Sequence, residues 1–298
     1  MENTIEIKNV NKFYGQKQAL KDVNLTIEQG IFGLLGRNGA GKTTLMKTLA
    51  ALHQKKSGEI TICGVPVENA VEIRSMTGYL PQDFSMYPSM TVTESLDYLG
   101  ALSGMDKKLR RKRIQKLLKK VNLTEQHNLK VKKLSGGMKR RLGIAQALLH
   151  EPKVLIVDEP TAGLDPEERI RFRNLLCEVA EERIVILSTH IVADIEASCE
   201  KLAIMNEGSI LWKGNVSELL ENAKGKVWLF NAEKRFITAV KQNYVVTEAI
   251  IHGENVDVKV VSDSAPDVQG AVSTEPNLED AYMYCLYSHG CIAIGGED

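Results

Sequence analysis

The chain has 298 residues, long enough to bury a large core without disulfide or metal staples. Thirty-eight basic and thirty-eight acidic side chains leave a formal net charge of zero, which excludes a nucleic-acid coat or an acidic tail as the main theme. A composition 43% hydrophobic and 26% charged excludes general disorder, and no apolar run approaches the ~18 residues that span a bilayer.

The start, Met1-Glu2-Asn3-Thr4, lacks the apolar core of a signal peptide. Ile5-Glu6-Ile7 and Val23-Asn24-Leu25-Thr26-Ile27 alternate and are expected to form short strands. After Gly30, the apolar run Ile31–Leu35 has buried-strand length, and a glycine-rich turn leads into a helix expected over about Lys42 to Leu52. The region from about Asp83 to His150 reads as mainly helical. Within it, residues 107–141 hold fifteen Lys or Arg against one acid, Glu125, so the remainder of this neutral chain is correspondingly acidic. Such a stretch is a set of solvated helix faces or a surface for an acidic partner or membrane headgroups. Val154–Val157 and Ile184–Leu187 are continuous apolar runs, which suit parallel strands covered on both faces. Beyond about Glu221, Lys226–Phe230, Tyr244–Val246 and Val256–Val261 read as short strands of a small α+β unit. The five cysteines (Cys63, Cys177, Cys199, Cys285, Cys291) form no C-x-x-C pair and read as reduced structural thiols; Cys285 and Cys291 flank His289 without a fourth ligand at metal spacing.

Gly36-Arg37-Asn38-Gly39-Ala40-Gly41-Lys42-Thr43 matches G-x-x-x-x-G-K-[ST]. Glycines at these places let backbone N–H groups turn inward around phosphate oxygens, and the following helix points its positive end at them. Lys42 is suited to the β- and γ-phosphates and the Thr43 hydroxyl to Mg²⁺, with Thr44 next in the same turn. Asp158-Glu159 ends a buried strand, where doubly wound sheets bind ligands. The first acid can hold Mg²⁺ and the second can act as general base, although strand-ending acids taken alone are commonly just solvated. Leu134-Ser135-Gly136-Gly137-Met138 opens another helix, with Met138, Leu142, Ala145 and Leu149 on one stripe. Ser135 is a natural N-cap, and Ser-Gly-Gly at a helix start is equally a second anion-binding end.

The order of phosphate loop, Leu-Ser-Gly-Gly-Met, Val-Leu-Ile-Val-Asp-Glu and a later Ser-Thr-His resembles the nucleotide-binding subunit of an ABC transporter over about residues 1–220. The resemblance implies an α/β fold: a P-loop NTPase (RecA-like) core with an N-terminal antiparallel β subdomain and a helical signature subdomain at about 83–150. Residues 1–221 would be the ATP-binding unit and 222–298 a small α+β accessory unit. It further implies ATP and Mg²⁺ as ligands, and a head-to-tail dimer of identical chains in which one chain's phosphate loop faces the other's Ser135, Gly136 and Gly137. An integral membrane permease would be the second partner, on the cytoplasmic face of the membrane, with no nucleic acid bound. By position, Tyr14 resembles the aromatic that stacks on adenine, and Gln82 the glutamine that contacts Mg²⁺ and the attacking water. His190 resembles the histidine at the γ-phosphate, and Asp165 the loop between the two dimer sites. Each has a plainer alternative: packing for Tyr14, a solvated loop for Gln82, a structural role for His190, and a helix cap before Pro166 for Asp165. Met138 stands where the family more often has glutamine, and Arg37 where it often has proline, adding a cation beside the nucleotide. The signature variant and Glu275-Pro276-Asn277-Leu278-Glu279-Asp280-Ala281-Tyr282 resemble the exporter branch for drugs, antibiotics or carbohydrates. The competing class is a non-transport ABC ATPase acting on ribosomes or nucleic acid, which the single motif set and the lack of a long coiled coil disfavour.

Overall fold

A computed structural model describes residues 3–292, so Met1 and Glu2 of the acidic start lie outside the described residues. Strands β1 (Ile5–Tyr14) and β2 (Lys17–Ile27) pair antiparallel through a turn at Gly15, and β3 (Gly30–Leu35) runs into helix α1 (Lys42–Leu49). The first two strands are longer than the alternating pentads suggest, because register shifts between Ile7 and Phe13 break the two-residue period that marks a strand in sequence. Helix α1 stops short of Leu52, since Ala51 takes a left-handed φ of 51°. Strands β4 (Ser57–Ile62) and β5 (Val65–Pro66) complete a sheet of order β2-β1-β4-β5, and α2 (Ala70–Met76) leads into β6 (Thr77–Leu80).

The helical stretch contains α3 (Val92–Leu102), α4 (Lys107–Lys120) and α5 (Gly136–Ala147). Their starts are written locally. Thr91 and Glu94 form a reciprocal capping box on α3, Asp106 accepts from Lys108 and Leu109 on α4, and Ser135 Oγ accepts from the Met138 amide on α5. Then follow β7 (Val154–Asp158), α6 (Pro166–Ala180), β8 (Ile184–Thr189), α7 (Val192–Glu196), β9 (Lys201–Asn206) and β10 (Ser209–Asn215). The central sheet has order β10-β9-β3-β8-β7-β6; all neighbours are parallel except the β9–β10 hairpin.

Alternation explains why β7 and β8 read as unbroken apolar runs. Val154, Ile156, Ile184 and Ile186 point into a core shared with the antiparallel sheet and α1, while Leu155, Val157, Val185 and Leu187 point into the core under the helices. Both faces are therefore dry.

Helix α8 (Val216–Ala223) leads to a second antiparallel sheet of β11 (Val227–Glu233), β12 (Val245–His252), β13 (Asn255–Val261) and β14 (Val272–Ser273), with α9 (Ile237–Asn243) between β11 and β12. The chain then returns as α10 (Leu278–Ser288). Leu278, Ala281, Tyr282, Cys285 and Leu286 of α10 are buried in the helical core together with Ile195 of α7 and Leu219 of α8. Asp280 fastens the same helix to the small sheet: it is 1% exposed, accepts from the Thr247 hydroxyl at 2.6 Å and pairs with Lys259 at 3.1 Å.

Candidate functional site

The turn after β3 is shaped by close backbone approaches. A Cβ on Gly36 would sit 2.3 Å from the Met205 carbonyl oxygen, and one on Gly41 would sit 2.8 Å from that of Ala19, at a φ of 106°. Only glycine fits either place. The β9–β10 turn clasps the loop from outside, with the Gly208 amide donating to Ala40 O and the Lys21 amide to Gly208 O, both at 2.8 Å.

Lys42, 4% exposed, donates to Gly36 O at 2.6 Å and to Arg37 O at 3.1 Å, and pairs with Glu159 Oε1 at 3.1 Å. The other Glu159 oxygen lies 3.0 Å from His190 Nδ1. Three residues far apart in sequence thus meet around one carboxylate. Glu159 itself has a left-handed φ of 45°, a costly state for a side-chain-bearing residue, and its amide is held by Ser188 O and Ser188 Oγ, each at 3.1 Å. Ser188 Oγ also donates to Asp158 Oδ1 at 2.5 Å, and the Tyr79 phenol reaches Oδ2 at 3.5 Å. Burial, with the Asp158 charge adding to it, pushes the Tyr79 phenol above its ordinary range, so it stays a neutral donor.

Lys42 and Glu159 face a cleft of about 790 Å³ that is also lined by Asn38 through Thr44, Tyr14 and Gln82, whereas His190 and Asp158 do not line it. Tyr14 is half exposed, with its hydroxyl 2.6 Å from His53 Nδ1 and its ring edge-on to the imidazole. The Gln82 carbonyl is held by Arg140 at 2.5 Å, which fixes the loop after β6. Gly36 and Arg37 do not line the cleft; Gly36 lies under β9, and the Arg37 charge acts on Tyr282 of α10. Ser135, Gly136, Gly137 and Asp165 are also absent from its lining. Ser135 caps α5 and Asp165 caps α6 by accepting from the Glu168 amide at 2.8 Å.

Sequence reasoning missed several members. Lys17, Lys21 and Glu207 line the cleft, and only the Asn206-Glu207-Gly208 hairpin turn is visible in sequence, without a sign of what it touches. Fully buried Asp194 accepts from the Thr161 hydroxyl and, at 3.4 Å, from that of Thr189, tying the loop after Glu159 to the turn before His190. Nothing local in the sequence marks that pairing.

Residues 20–162 match the family model described as ABC transporter. An uncharacterized ABC transporter ATP-binding protein of Synechocystis, sll0415, is 33% identical over 97% of this chain and 86% of its own length. The chain belongs to the ABC transporter ATP-binding family. A Nod factor export ATP-binding protein I of Burkholderia lata is 37% identical over 74% of each chain. Among solved structures, the ABC cassette cbiO1 of Clostridium perfringens, part of the complex cbiONQ, superposes with a TM-score of 0.69 at 29% identity, covering 74% of this chain and 92% of that one. The cassette MJ0796, solved as a dimer in a post-hydrolysis state with ADP and Pi, superposes with a TM-score of 0.65 at 28% identity over 71% of this chain and 98% of its own. This ABC protein is accordingly an ATP-binding and ATP-hydrolysing motor subunit with the P-loop α/β fold of its relatives. Among the described residues no helix is long and apolar enough to cross a membrane.

Proposed function

We propose that this ATPase drives an exporter: two identical chains close head to tail on ATP at the cytoplasmic face of a membrane and move a separate permease. The Nod factor export relative supports the direction of transport, and a linearmycin resistance ATP-binding protein of Bacillus subtilis, 31% identical over 83% of this chain, supports a drug or antibiotic class of cargo. Residues 1–221 form the motor unit in this reading and 222–298 an accessory unit.

The Lys42–Glu159–His190 cluster carries the assignment of roles. ATP binding draws the Lys42 ammonium from Gly36 O and Glu159 onto the β- and γ-phosphates, while the amides from Asn38 to Thr44 and the α1 N-terminus receive the phosphate oxygens. Tyr14 leaves His53 and stacks on adenine. Glu159, freed from Lys42 and steadied by His190, accepts a proton from the water that attacks the γ-phosphorus, with Gln82 orienting that water. His190 faces the γ-phosphate. Ser135, Gly136 and Gly137 complete the site from the partner chain, and Asp165 links the two sites; their absence from the lining of this chain's own cleft supports that arrangement. The oxygen donors Thr43, Asp158 and Gln82 suit Mg²⁺, and buried Asp158, anchored by Ser188 and Tyr79, fits a hard cation at the strand end. When bound, Mg²⁺ supplies neutralisation of the phosphate charge.

The test is ATP turnover by the full chain with size analysis. Glu159→Gln should cut turnover at least about 100-fold and accumulate an ATP-bound dimer, and His190→Ala should slow turnover more than binding. Full turnover of Glu159→Gln would remove it from the base role. Recovery of a polytopic protein with the tagged chain from solubilised membranes tests the permease, and recovery of ribosomes instead would overturn the transport reading.

A further inference from the structure

The nucleotide site leaves the basic segment unexplained. Helix α4 has the sequence KKLRRKRIQKLLKK, with nine cations and no acid. Two of these cations are structural. Arg110 is buried and forks onto Asp97 at 2.7 and 3.2 Å, and Arg113 donates to Glu151 at 2.6 Å. These pairs, with buried Ile114, Leu117 and Leu118, fix which face of α4 points inward.

The opposite face is different. Lys108, Lys112, Lys116 and Lys119 are exposed and spaced at helical intervals along one side. None of them has a carboxylate within ion-pair distance among the described residues. Lys107 and Arg111, on the flank, share the field of Asp97. Like charges four residues apart repel, so this face holds itself in an unfavourable arrangement that external anions relieve. Leu109, 43% exposed, lies one turn before Lys112, and Leu102 at the end of α3 is 65% exposed. The pattern is a row of rigidly mounted ammonium groups edged by apolar side chains, in a chain whose total charge is zero.

We propose that this outward face of α4 docks on the anionic headgroups of a lipid bilayer. Clustered Lys and Arg on a helix attract anionic lipid over about a Debye length, and an exposed leucine can enter the headgroup boundary. A nucleic acid would meet the same charge, but α4 has no aromatic side chain on which a base could stack. The proposal rests on the transporter reading for the nearness of a bilayer. It adds a direct lipid contact that does not pass through a permease.

The experiment is co-sedimentation of the full chain with protein-free vesicles of phosphatidylcholine alone or of equimolar phosphatidylcholine and phosphatidylglycerol. The chain should bind the anionic vesicles, ignore the neutral ones and release as salt rises. Lys108→Gln/Lys112→Gln/Lys119→Gln should lower partitioning roughly 100-fold, with the far-ultraviolet dichroism and ATP turnover of the parent. The corresponding triple Lys→Arg variant should retain binding. Equal binding to both vesicle types, undiminished binding by the Gln variant, or poly(U) outcompeting the anionic vesicles at equal phosphate would overturn it. Anionic-vesicle binding by a chain that fails to turn over ATP would support this surface and refute the ATPase roles separately.

Discussion

Lys42 sits in a site that leaves almost none of it in water, and its charge is met there by two loop carbonyls and Glu159. An incoming polyphosphate therefore replaces an internal anion rather than neutralising a bare cation. Two consequences follow in opposite directions. Lys42→Ala removes the cation both anions need, and nucleotide affinity should fall roughly 100-fold in a fluorescent-nucleotide titration. Glu159→Gln removes the competitor, so ATP affinity should rise about tenfold, the equivalent of ~1.4 kcal/mol, even as turnover stops. An unchanged affinity would mean that the Lys42–Glu159 contact does not oppose binding. At this scale the phosphate loop was legible because strand, glycine turn and helix are contiguous, so each chemical requirement leaves its mark on neighbouring letters. Ser188, Thr161 and Asp194 were not. Their work is done across strand ends that only the β7–β8 register brings together, as Asp158 opposite Ser188 shows.

The elements divide in the same way. Strands β7 and β8 were legible because both of their faces are buried, and the starts of α5 and α6 because Ser135 and Asp165 cap them, whereas α3 and α4 were read only as one helical stretch. The true extent of β1 was hidden by its register shifts, and the destination of α10 was hidden because burial against α7 and α8 looks like any apolar periodicity. The Asp280 carboxylate is the buried polar tie of α10 to the small sheet, beside the packing of Met283, Tyr284 and Tyr287 on Val227, Val245 and Val261. It is almost fully buried, so removing its partners or its charge leaves unsatisfied groups with no water to turn to. Asp280→Ala leaves Lys259 without that partner and should cost about 3 kcal/mol, read as a lowered denaturant midpoint with the native slope. A midpoint within error of the parent would show that the apolar contacts of α10 suffice to hold the sheet.

Across the whole molecule, stability should depend on acidity through His150, whose imidazole is packed against the end of the β6 layer with Nε2 3.3 Å from Thr77 O. Burial lowers its affinity for a proton below the ordinary value of 6.5, and the Arg113 charge acts in the same direction. The unfolded chain then takes up that proton more readily than the folded one. Stability contributed by the neutral ring is complete above 6.5 and declines as pH falls below it toward the depressed folded value. Replacing His150 by Gln should flatten this limb of the stability profile in melts recorded between pH 7 and pH 5, and an unaltered slope would assign the acid sensitivity elsewhere. A different whole-molecule property follows from the return of α10 to the core beside α8. Residues 224–277 are tied down at both ends, so they behave as a closed loop, not as a free tail. The entropy of closing a loop grows only with the logarithm of its length, and doubling it costs about 0.6 kcal/mol. The small sheet can therefore be enlarged or exchanged at little expense to the motor, whereas trimming the chain from its end removes the closing helix and opens the core from a distance.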